Sequence, residues 1–179
     1  MTPDRLEKKL MNAAAAYLGR YASSAENLRR VLRRKLRKWL DSKDIEGLDT
    51  DQSVDRVIGK CTEFGLLDDV QYAETKVASL RRRGRSERRI RATLAAKGVD
   101  RDIASAAVQS DETEERQAAH TYARRRRLGP WRPAELRRDR REKDIAAMCR
   151  AGFSVSLARE VIDGPGASDA AARDLGDQE

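Results

Sequence analysis

Asp68 and Asp69 are the adjacent carboxylates that most invite a catalytic role in this chain. A general acid and a general base must both reach one substrate, whereas adjacent residues of a helix point in different directions. Because both residues precede an apolar stripe, we predict that they cap a helix. The chain has no phosphate-binding loop, dinucleotide-binding glycine fingerprint, HExxH motif or nucleophile elbow. We therefore predict a protein that is not an enzyme and has no catalytic residues.

Arginine supplies the remaining chemistry. The 179 residues carry a net charge of +8, with 38 Lys and Arg against 30 Asp and Glu. A planar guanidinium binds phosphate or carboxylate through paired hydrogen bonds, so arginine clusters favour a polyanion or an acidic protein surface as partner. The alternative is that each cluster is a solvated helix face, and a further run at Arg137–Arg141 is open to the same two interpretations. The candidate partner-binding or DNA-binding residues are Arg29, Arg30, Arg33, Arg34, Arg37, Arg81, Arg82, Arg83, Arg85, Arg88, Arg91, Arg124, Arg125, Arg126 and Arg127.

The residue types that bind metals are sparse. Cys61 and Cys149 lie far apart on apolar stripes, and we predict that both are small core residues without a disulfide. His120 has no second ligand near it in sequence, so we expect neither a metal nor a cofactor. Trp131, in the Gly129–Pro133 segment, is the one aromatic residue that could stack on a nucleic-acid base from an exposed position; the alternative is a core residue.

The stretch from Gly65 to Val108 is typical of three short helices. The first is capped by Asp68 or Asp69 and ends at Gly84, because glycine takes the left-handed conformation that closes many helices. The second begins at Ser86 and ends at Gly98, and Asp100 begins the third. None of these helices could bury its apolar stripe alone, so the three must pack together and against neighbours.

Two spacings in this stretch recur elsewhere. Ser24-x3-Leu28-x3-Leu32-x2-Lys35 matches Ser86-x3-Ile90-x3-Leu94-x2-Lys97, and Gly98-Val99-x3-Ile103-x4-Val108 matches Gly152-Phe153-x3-Leu157-x4-Ile162. Chance could explain either match alone, but together they favour tandem three-helix units. We predict an all-α fold of three tandem three-helix repeats forming an elongated, curved stack. If the repeats stack side by side, their basic ridges would lie along one extended surface.

The predicted division of the chain follows these repeats. Residues 1–12 form an N-terminal extension that is either frayed or weakly helical, 13–64 the first repeat, 65–109 the second, 110–163 the third, and 164–179 a disordered acidic tail. The first helix is expected over Ala13–Tyr21, Ser23 and Glu26 form a capping box, and Phe64 lies on the apolar stripe of the third helix. An acidic loop covers Asp41–Asp51, and Ser110 or Asp111 caps a later helix. For the arginine-rich run up to Arg141, the sequence leaves two alternatives, the start of a helix or a mobile linker.

The chain has no apolar run near the roughly 20 residues of a membrane span, and no convincing signal sequence. We therefore expect a cytoplasmic protein without membrane contact. We also expect the protein to be a monomer.

The ordered motifs resemble the RecX family of regulatory proteins. The resemblance rests on Tyr17-Leu18-x-Arg20, on the two serine-led repeats, on Phe64-Gly65-Leu66-Leu67-Asp68-Asp69-x2-Tyr72-Ala73, on Lys97-Gly98-Val99 and on Gly152-Phe153-Ser154. It covers roughly Ala13–Ile162. Two regions depart from the family pattern: the basic helix that runs on through Arg37-Lys38-Trp39, and the segment Gly129–Arg141.

The resemblance implies a function as well as a fold. Members of this family bind the RecA recombinase, both free and in its filament on single-stranded DNA, and restrain its strand exchange and ATP hydrolysis. RecA and this filament are therefore the expected partners, with no cofactor, and a weak direct contact with DNA is left open. The alternative from the residues alone is a stand-alone basic helical module that binds nucleic acid, and a helical scaffold for an unrelated partner is a third possibility.

Overall fold

The structure, a computed structural model, describes residues 2–39, 49–109 and 112–165. Within these ranges the chain is helical and contains no strand, which confirms the predicted all-α class. A 3-10 helix, Gly129–Trp131, precedes the eighth α-helix. The helices are α1 (Pro3–Leu18), α2 (Ala25–Trp39), α3 (Thr50–Glu63), α4 (Asp69–Arg82), α5 (Glu87–Ala96), α6 (Arg101–Ala107), α7 (Glu112–Arg126), α8 (Ala134–Arg150) and α9 (Val155–Asp163).

Some predicted features lie outside the described residues. They are the acidic loop where it covers 41–48, the Ser110 or Asp111 cap, and the acidic tail from residue 166 onward. The arginine-rich run before Arg141 falls within α8, so its helical alternative is the correct one.

The first helix begins at Pro3 rather than at Ala13, so for residues 3–12 the helical alternative is the correct one and the frayed alternative is wrong. Thr2 caps the helix by accepting a hydrogen bond from the Arg5 N–H group, and proline is favoured in the first helical turn. Leu6, Leu10 and Ala14 are fully buried. This four-residue spacing is the signal that the charged composition of the segment obscured.

The helices distribute between two compact units. The first unit contains the described residues of 1–75 and 93–107, and the second those of 76–92 and 108–179. The core of the first is aliphatic, with Leu6 and Leu10 of α1 packed with Leu28 and Leu32 of α2 and with the buried face of α3. Cys61 belongs to this core as a free thiol, and burial raises its pKa, so it stays protonated and unreactive as a small apolar residue.

The core of the second unit relies on small side chains. Ala118, Ala119 and Ala123 of α7 are buried against α8 and α9, and Met148 is fully enclosed. Phe153 follows the end of α8 and packs against Tyr122 with ring centroids 5.6 Å apart. Its burial provides the apolar contact that often accompanies a glycine at a helix end, here Gly152.

The structure corrects the prediction for Phe64 and decides between the two alternatives for Trp131. Phe64 was expected on the buried stripe of α3, but it follows the last helical residue and its side chain is 69% exposed. Trp131 is not an exposed stacking platform: it packs on the core of the second unit and meets His120 edge-on at 5.8 Å. The 3-10 helix turns its ring inward, so Trp131 contributes to packing.

The start of α2 is held by residues distant in sequence. Ser24 Oγ accepts a hydrogen bond from the Asn27 N–H group at 3.2 Å and donates one to the Lys97 carbonyl, just beyond α5, at 2.5 Å. The Ala25 N–H group, which lacks a helical partner, donates to Asp69 Oδ1 at 2.8 Å. Ser24 is therefore the cap, and the predicted Ser23–Glu26 capping box is wrong because Glu26 instead pairs with arginines of its own helix.

The start of α5 repeats this arrangement. Ser86 Oγ accepts from the Arg89 N–H group at 3.3 Å and donates to the Ala151 carbonyl, just beyond α8, at 2.6 Å. The Glu87 N–H group donates to the Glu115 carboxylate at 2.9 Å. We call these two arrangements the α2 joint (Ser24, Asp69 and the Lys97 carbonyl) and the α5 joint (Ser86, Glu115 and the Ala151 carbonyl). Each joint fastens a helix start to the end of a helix three positions later in the chain.

A buried ion pair between Arg132 and Asp144 holds the segment Gly129–Pro133, which contains Pro130 and Pro133. Asp144 of α8 is 2% exposed and accepts hydrogen bonds from Arg132 Nε at 3.0 Å, from Arg132 Nη2 at 2.6 Å and from the Gly129 N–H group at 2.9 Å. Burial alone would raise the pKa of the Asp144 carboxyl, but the hydrogen bonds from Arg132 and Gly129 outweigh it and lower that pKa below its usual value.

Replacing Ser86 should destabilise the protein more than replacing a serine that only caps a helix. Ser86→Ala removes the cap of α5 and leaves the partly buried Ala151 carbonyl without its donor, so the free energy of unfolding should fall by about 2 kcal/mol. Ser154, which is exposed and caps only α9 through the Leu157 N–H group, is the matched control. Ser154→Ala should cost about 1 kcal/mol. Equal losses in urea denaturation would contradict the α5 joint.

Replacing Asp144 should give a pH-dependent loss of stability. Asp144→Asn breaks a largely buried pair and should lower the free energy of unfolding by about 3 kcal/mol at pH 7. Because the native pKa of Asp144 lies below the unfolded value, its ionised form stabilises the fold fully above pH ~4, and this contribution disappears as the pH falls through the native pKa. The difference between wild type and variant, measured by urea denaturation at pH 7 and at successively lower pH, should therefore shrink on acidification. A constant difference would contradict this assignment.

Candidate partner-binding surface

The arginines of α2 are largely neutralised by neighbouring carboxylates. Glu26 binds two of them, and the hydrogen bond from Arg29 is the main reason that the pKa of Glu26 is lowered. Each pair keeps a substantial exposed fraction, which is typical of a solvated helix face. Arg34 and Arg37 are exposed and have no ion pair within the described ranges. The ion pairs are Arg29–Glu26 at 2.7 Å, Arg29–Asp55 at 2.9 Å, Arg30–Glu26 at 3.1 Å and Arg33–Asp51 at 2.9 Å.

Arg81 does not belong to an accessible surface. Its side chain is 11% exposed and forms an ion pair with Glu115, whose carboxylate is also the acceptor of the α5 joint. The guanidinium therefore helps to position Glu115, and we withdraw Arg81 from the candidate binding residues. Sequence reasoning could have found Glu115, because it occupies the first turn of α7 as Asp69 occupies the first turn of α4.

The turn between α4 and α5 carries its arginines onto α7. Gly84 has a φ of +71°, and a Cβ atom there would lie 2.7 Å from the backbone nitrogen of Tyr122. This close approach admits only glycine. Arg125 Nη1 in turn donates to the Arg83 carbonyl at 3.4 Å. Two arginine runs that are separate in sequence therefore meet in the second unit.

We call the exposed arginines at this meeting point the arginine patch. Three further arginines are exposed nearby in the chain but are not counted in the patch. They are Arg88 in the first turns of α5 and Arg126 and Arg127 at the end of α7. Arg91 is not included because it pairs with Glu87 at 2.8 Å. The patch consists of Arg82 at the end of α4, Arg83 and Arg85 in the α4–α5 turn, and Arg124 and Arg125 in α7.

The arginine patch differs electrostatically from the basic face of α2. None of its five members forms an ion pair with a carboxylate in the part of the chain that the structure describes. Like charges that lie close together without counterions repel, so such a surface gains free energy when an anion binds.

In the fourth basic cluster, Arg137–Arg141, two of the four arginines are engaged within the second unit. Arg137 donates to the carbonyls of Arg132 and Pro130 at 3.0 and 2.8 Å. Arg141 pairs with Asp163 at 2.6 Å. These contacts favour a structural role for Arg137 and Arg141.

The residues considered for catalysis are helix caps. Asp68 accepts from the Gln71 N–H group at 2.9 Å and caps α4, whereas Asp69 serves the α2 joint. Within residues 2–39, 49–109 and 112–165, no cluster of His, Cys, Asp and Glu could hold a metal ion. Across the same ranges, none of the helices has the length and apolar character needed to span a bilayer.

Comparison with known proteins identifies the family. Residues 68–108 match the family model described as the second three-helix domain of RecX. The chain is 40% identical over 157 residues to the regulatory protein RecX of Myxococcus xanthus, which covers 86% of this chain and 84% of that protein. It is also 42% identical over 96 residues to RecX of Agrobacterium fabrum, covering 54% of this chain and 51% of the relative.

A solved structure supports the same fold. The crystal structure of RecX from Lactobacillus salivarius superposes with a TM-score of 0.64 over 89% of this chain and 96% of that one, at 21% sequence identity. The sequence resemblance noted from the motifs is thereby confirmed along most of the chain's length. This chain belongs to the RecX family of regulatory proteins.

Proposed function

We propose that this chain is a cytoplasmic, monomeric binding protein that attaches to the RecA recombinase filament on single-stranded DNA and inhibits its activity. The observation that supports the proposal most is the arginine patch, in which arginines from the end of α4, the α4–α5 turn and α7 meet without counterions among residues 2–39, 49–109 and 112–165. A nucleoprotein filament offers both DNA phosphates and acidic protein side chains to such a surface. The protein would act by occupying the filament, without catalysis or a cofactor.

The helical triplets are the proposed units of binding. The α2 and α5 joints recur at the second helix of successive triplets, which supports a division into α1–α3, α4–α6 and α7–α9. The N-terminal triplet then begins at Pro3 instead of Ala13. Repeats of this kind suit a repetitive polymer, because each one can present a basic side chain to a successive subunit or phosphate.

Charge reversal in the arginine patch should relieve inhibition of RecA. Arg82→Glu, Arg85→Glu and Arg124→Glu in one variant alter exposed residues, so helical content should be unchanged. We expect at least a tenfold higher concentration of the variant for half-maximal inhibition of ATP hydrolysis by RecA on single-stranded DNA, or about 1.4 kcal/mol.

The matched control reverses the same number of exposed arginines elsewhere. Arg5, Arg20 and Arg101 are exposed, and their combined change to Glu alters the net charge equally. This control should inhibit RecA nearly as well as wild type, apart from a small effect of net charge. If both variants lost inhibition of RecA equally, the loss would be an effect of net charge and not of the arginine patch. If saturating wild-type protein did not inhibit RecA at all, the proposed function would be wrong.

The stand-alone nucleic-acid module is favoured by the same arginines and makes a different prediction. If DNA phosphate alone were the target, the logarithm of the affinity for naked single-stranded DNA would fall with the logarithm of salt concentration by about 0.7 for each phosphate neutralised. Adding RecA would then change the affinity little. Under the proposed function, naked DNA binds weakly and the filament binds much more tightly.

A further inference from the structure

The connection between α3 and α4 exposes an unusual run of apolar side chains. Phe64, Leu66 and Val70 are 69%, 49% and 51% exposed, respectively. The other large exposed apolar side chains in the described ranges, Tyr21, Leu136 and Val155, are scattered along the chain. Single exposed apolar residues are common, whereas a contiguous group usually marks an interaction surface.

Helix α6 extends this apolar surface within the first unit. Val70 and Ile103 together line two adjacent shallow grooves. Ala106 and Ala107 continue the first groove along α6, and Leu67 lies in the second. Both grooves are lined only by residues of the first unit. The apolar surface therefore includes side chains from the α3–α4 connection, from the first turns of α4 and from α6.

The rim of this surface is acidic, although the protein as a whole is basic. No lysine or arginine lines either groove. Phosphate would be repelled by the rim, so nucleic acid is a poor occupant. We define the acidic apolar face by two sets of residues. Val70, Ile103, Asp68, Glu74 and Asp102 line the grooves, and the exposed Glu63, Phe64 and Leu66 adjoin the groove residues Thr62, Gly65 and Leu67 in the chain.

The fold does not require these exposed side chains. Leu67 is the residue of the connection that enters the core, at 4% exposure, while its neighbour Leu66 stays outside. A Cβ atom at Gly65 would meet nothing within 4 Å, so the surface is open there. Exposed Phe and Leu side chains in an open position gain free energy only when a partner covers them.

We propose that the acidic apolar face docks onto a protein surface that presents an apolar side chain flanked by lysine or arginine, and that this surface belongs to the recombinase. This inference rests on the proposed function and deepens it. The acidic apolar face recognises protein, whereas the arginine patch recognises phosphate. Apolar contact supplies affinity at the centre of such an interface, and the carboxylates select a basic rim on the partner.

The test separates the two surfaces with matched double variants. Leu66→Ser with Val70→Ser removes apolar side chains from the acidic apolar face. Leu136→Ser with Val155→Ser removes the same residue types from positions of similar exposure, 42% and 51%, elsewhere in the chain. Binding is measured to RecA free of DNA by biolayer interferometry, and to naked single-stranded DNA by fluorescence anisotropy.

The Leu66→Ser, Val70→Ser variant should bind RecA about tenfold more weakly, while its affinity for naked DNA stays within about twofold of wild type. The control variant should match wild type in both assays. Glu74→Lys should act in opposite directions, because the added positive charge weakens binding to a basic RecA surface and strengthens binding to DNA. A general loss of folding would not produce that opposition.

Several results would overturn this inference. Unchanged RecA affinity in the Leu66→Ser, Val70→Ser variant would show that the face is not the contact. If sedimentation equilibrium found that wild type dimerises and that this variant is monomeric with unchanged RecA affinity, the occupant would be a second copy of the chain. A wild-type protein that binds DNA but not RecA would overturn both the inference and the proposed function, which distinguishes that failure from the first.

Discussion

The satisfaction of helix-start N–H groups by residues from a later helix is the constraint on which the rest of the structure depends. An α-helix leaves its first N–H groups without partners, and a buried helix start must find acceptors elsewhere. The α2 joint uses Asp69 and the α5 joint uses Glu115 for the same amide position. In both joints a serine hydroxyl also donates to a carbonyl at the end of another helix, so the position of one helix start depends on two other helices.

This constraint accounts for the position of the arginines. Glu115 serves the α5 joint and binds Arg81, so one carboxylate ties the end of α4 and the start of α5 to the start of α7. Gly84 allows the intervening turn to approach the α7 backbone, where Arg125 reaches the Arg83 carbonyl. The arginines on either side of Gly84 are then directed to solvent. Local hydrogen bonding thus produces a concentration of positive charge that the carboxylates of the described ranges do not neutralise.

Much of the fold could be predicted from short spacings. Ser86, Gly84 and Gly98 mark the ends of α4 and α5 as expected, because capping serines and left-handed glycines act within one or two turns of the chain. The missed features depend on more distant residues. Helix α1 was underestimated because Leu6 and Leu10 stand among charged residues, and Phe64 was misplaced because one residue beyond a helix end suffices to redirect a side chain.

The candidate site was predictable only as a set of residue types. The sequence shows many arginines, but it does not show that Arg29, Arg30 and Arg33 meet carboxylates while Arg82, Arg85 and Arg124 do not. Counterion pairing depends on tertiary neighbours, such as Asp55 on α3 opposite Arg29 on α2. The acidic apolar face was missed for a similar reason, since Phe64 and Leu66 belong to a motif in which Leu67, Tyr72 and Ala73 enter the core.

Hydrogen–deuterium exchange of this chain, free and bound to RecA on single-stranded DNA, tests the central claim most directly because it needs no substitution. Co-sedimentation first establishes that the chain is bound. The account predicts slower exchange on binding in peptides that cover residues 82–88 and 122–128, where the arginine patch lies. Unchanged exchange in both segments of the bound chain would contradict it.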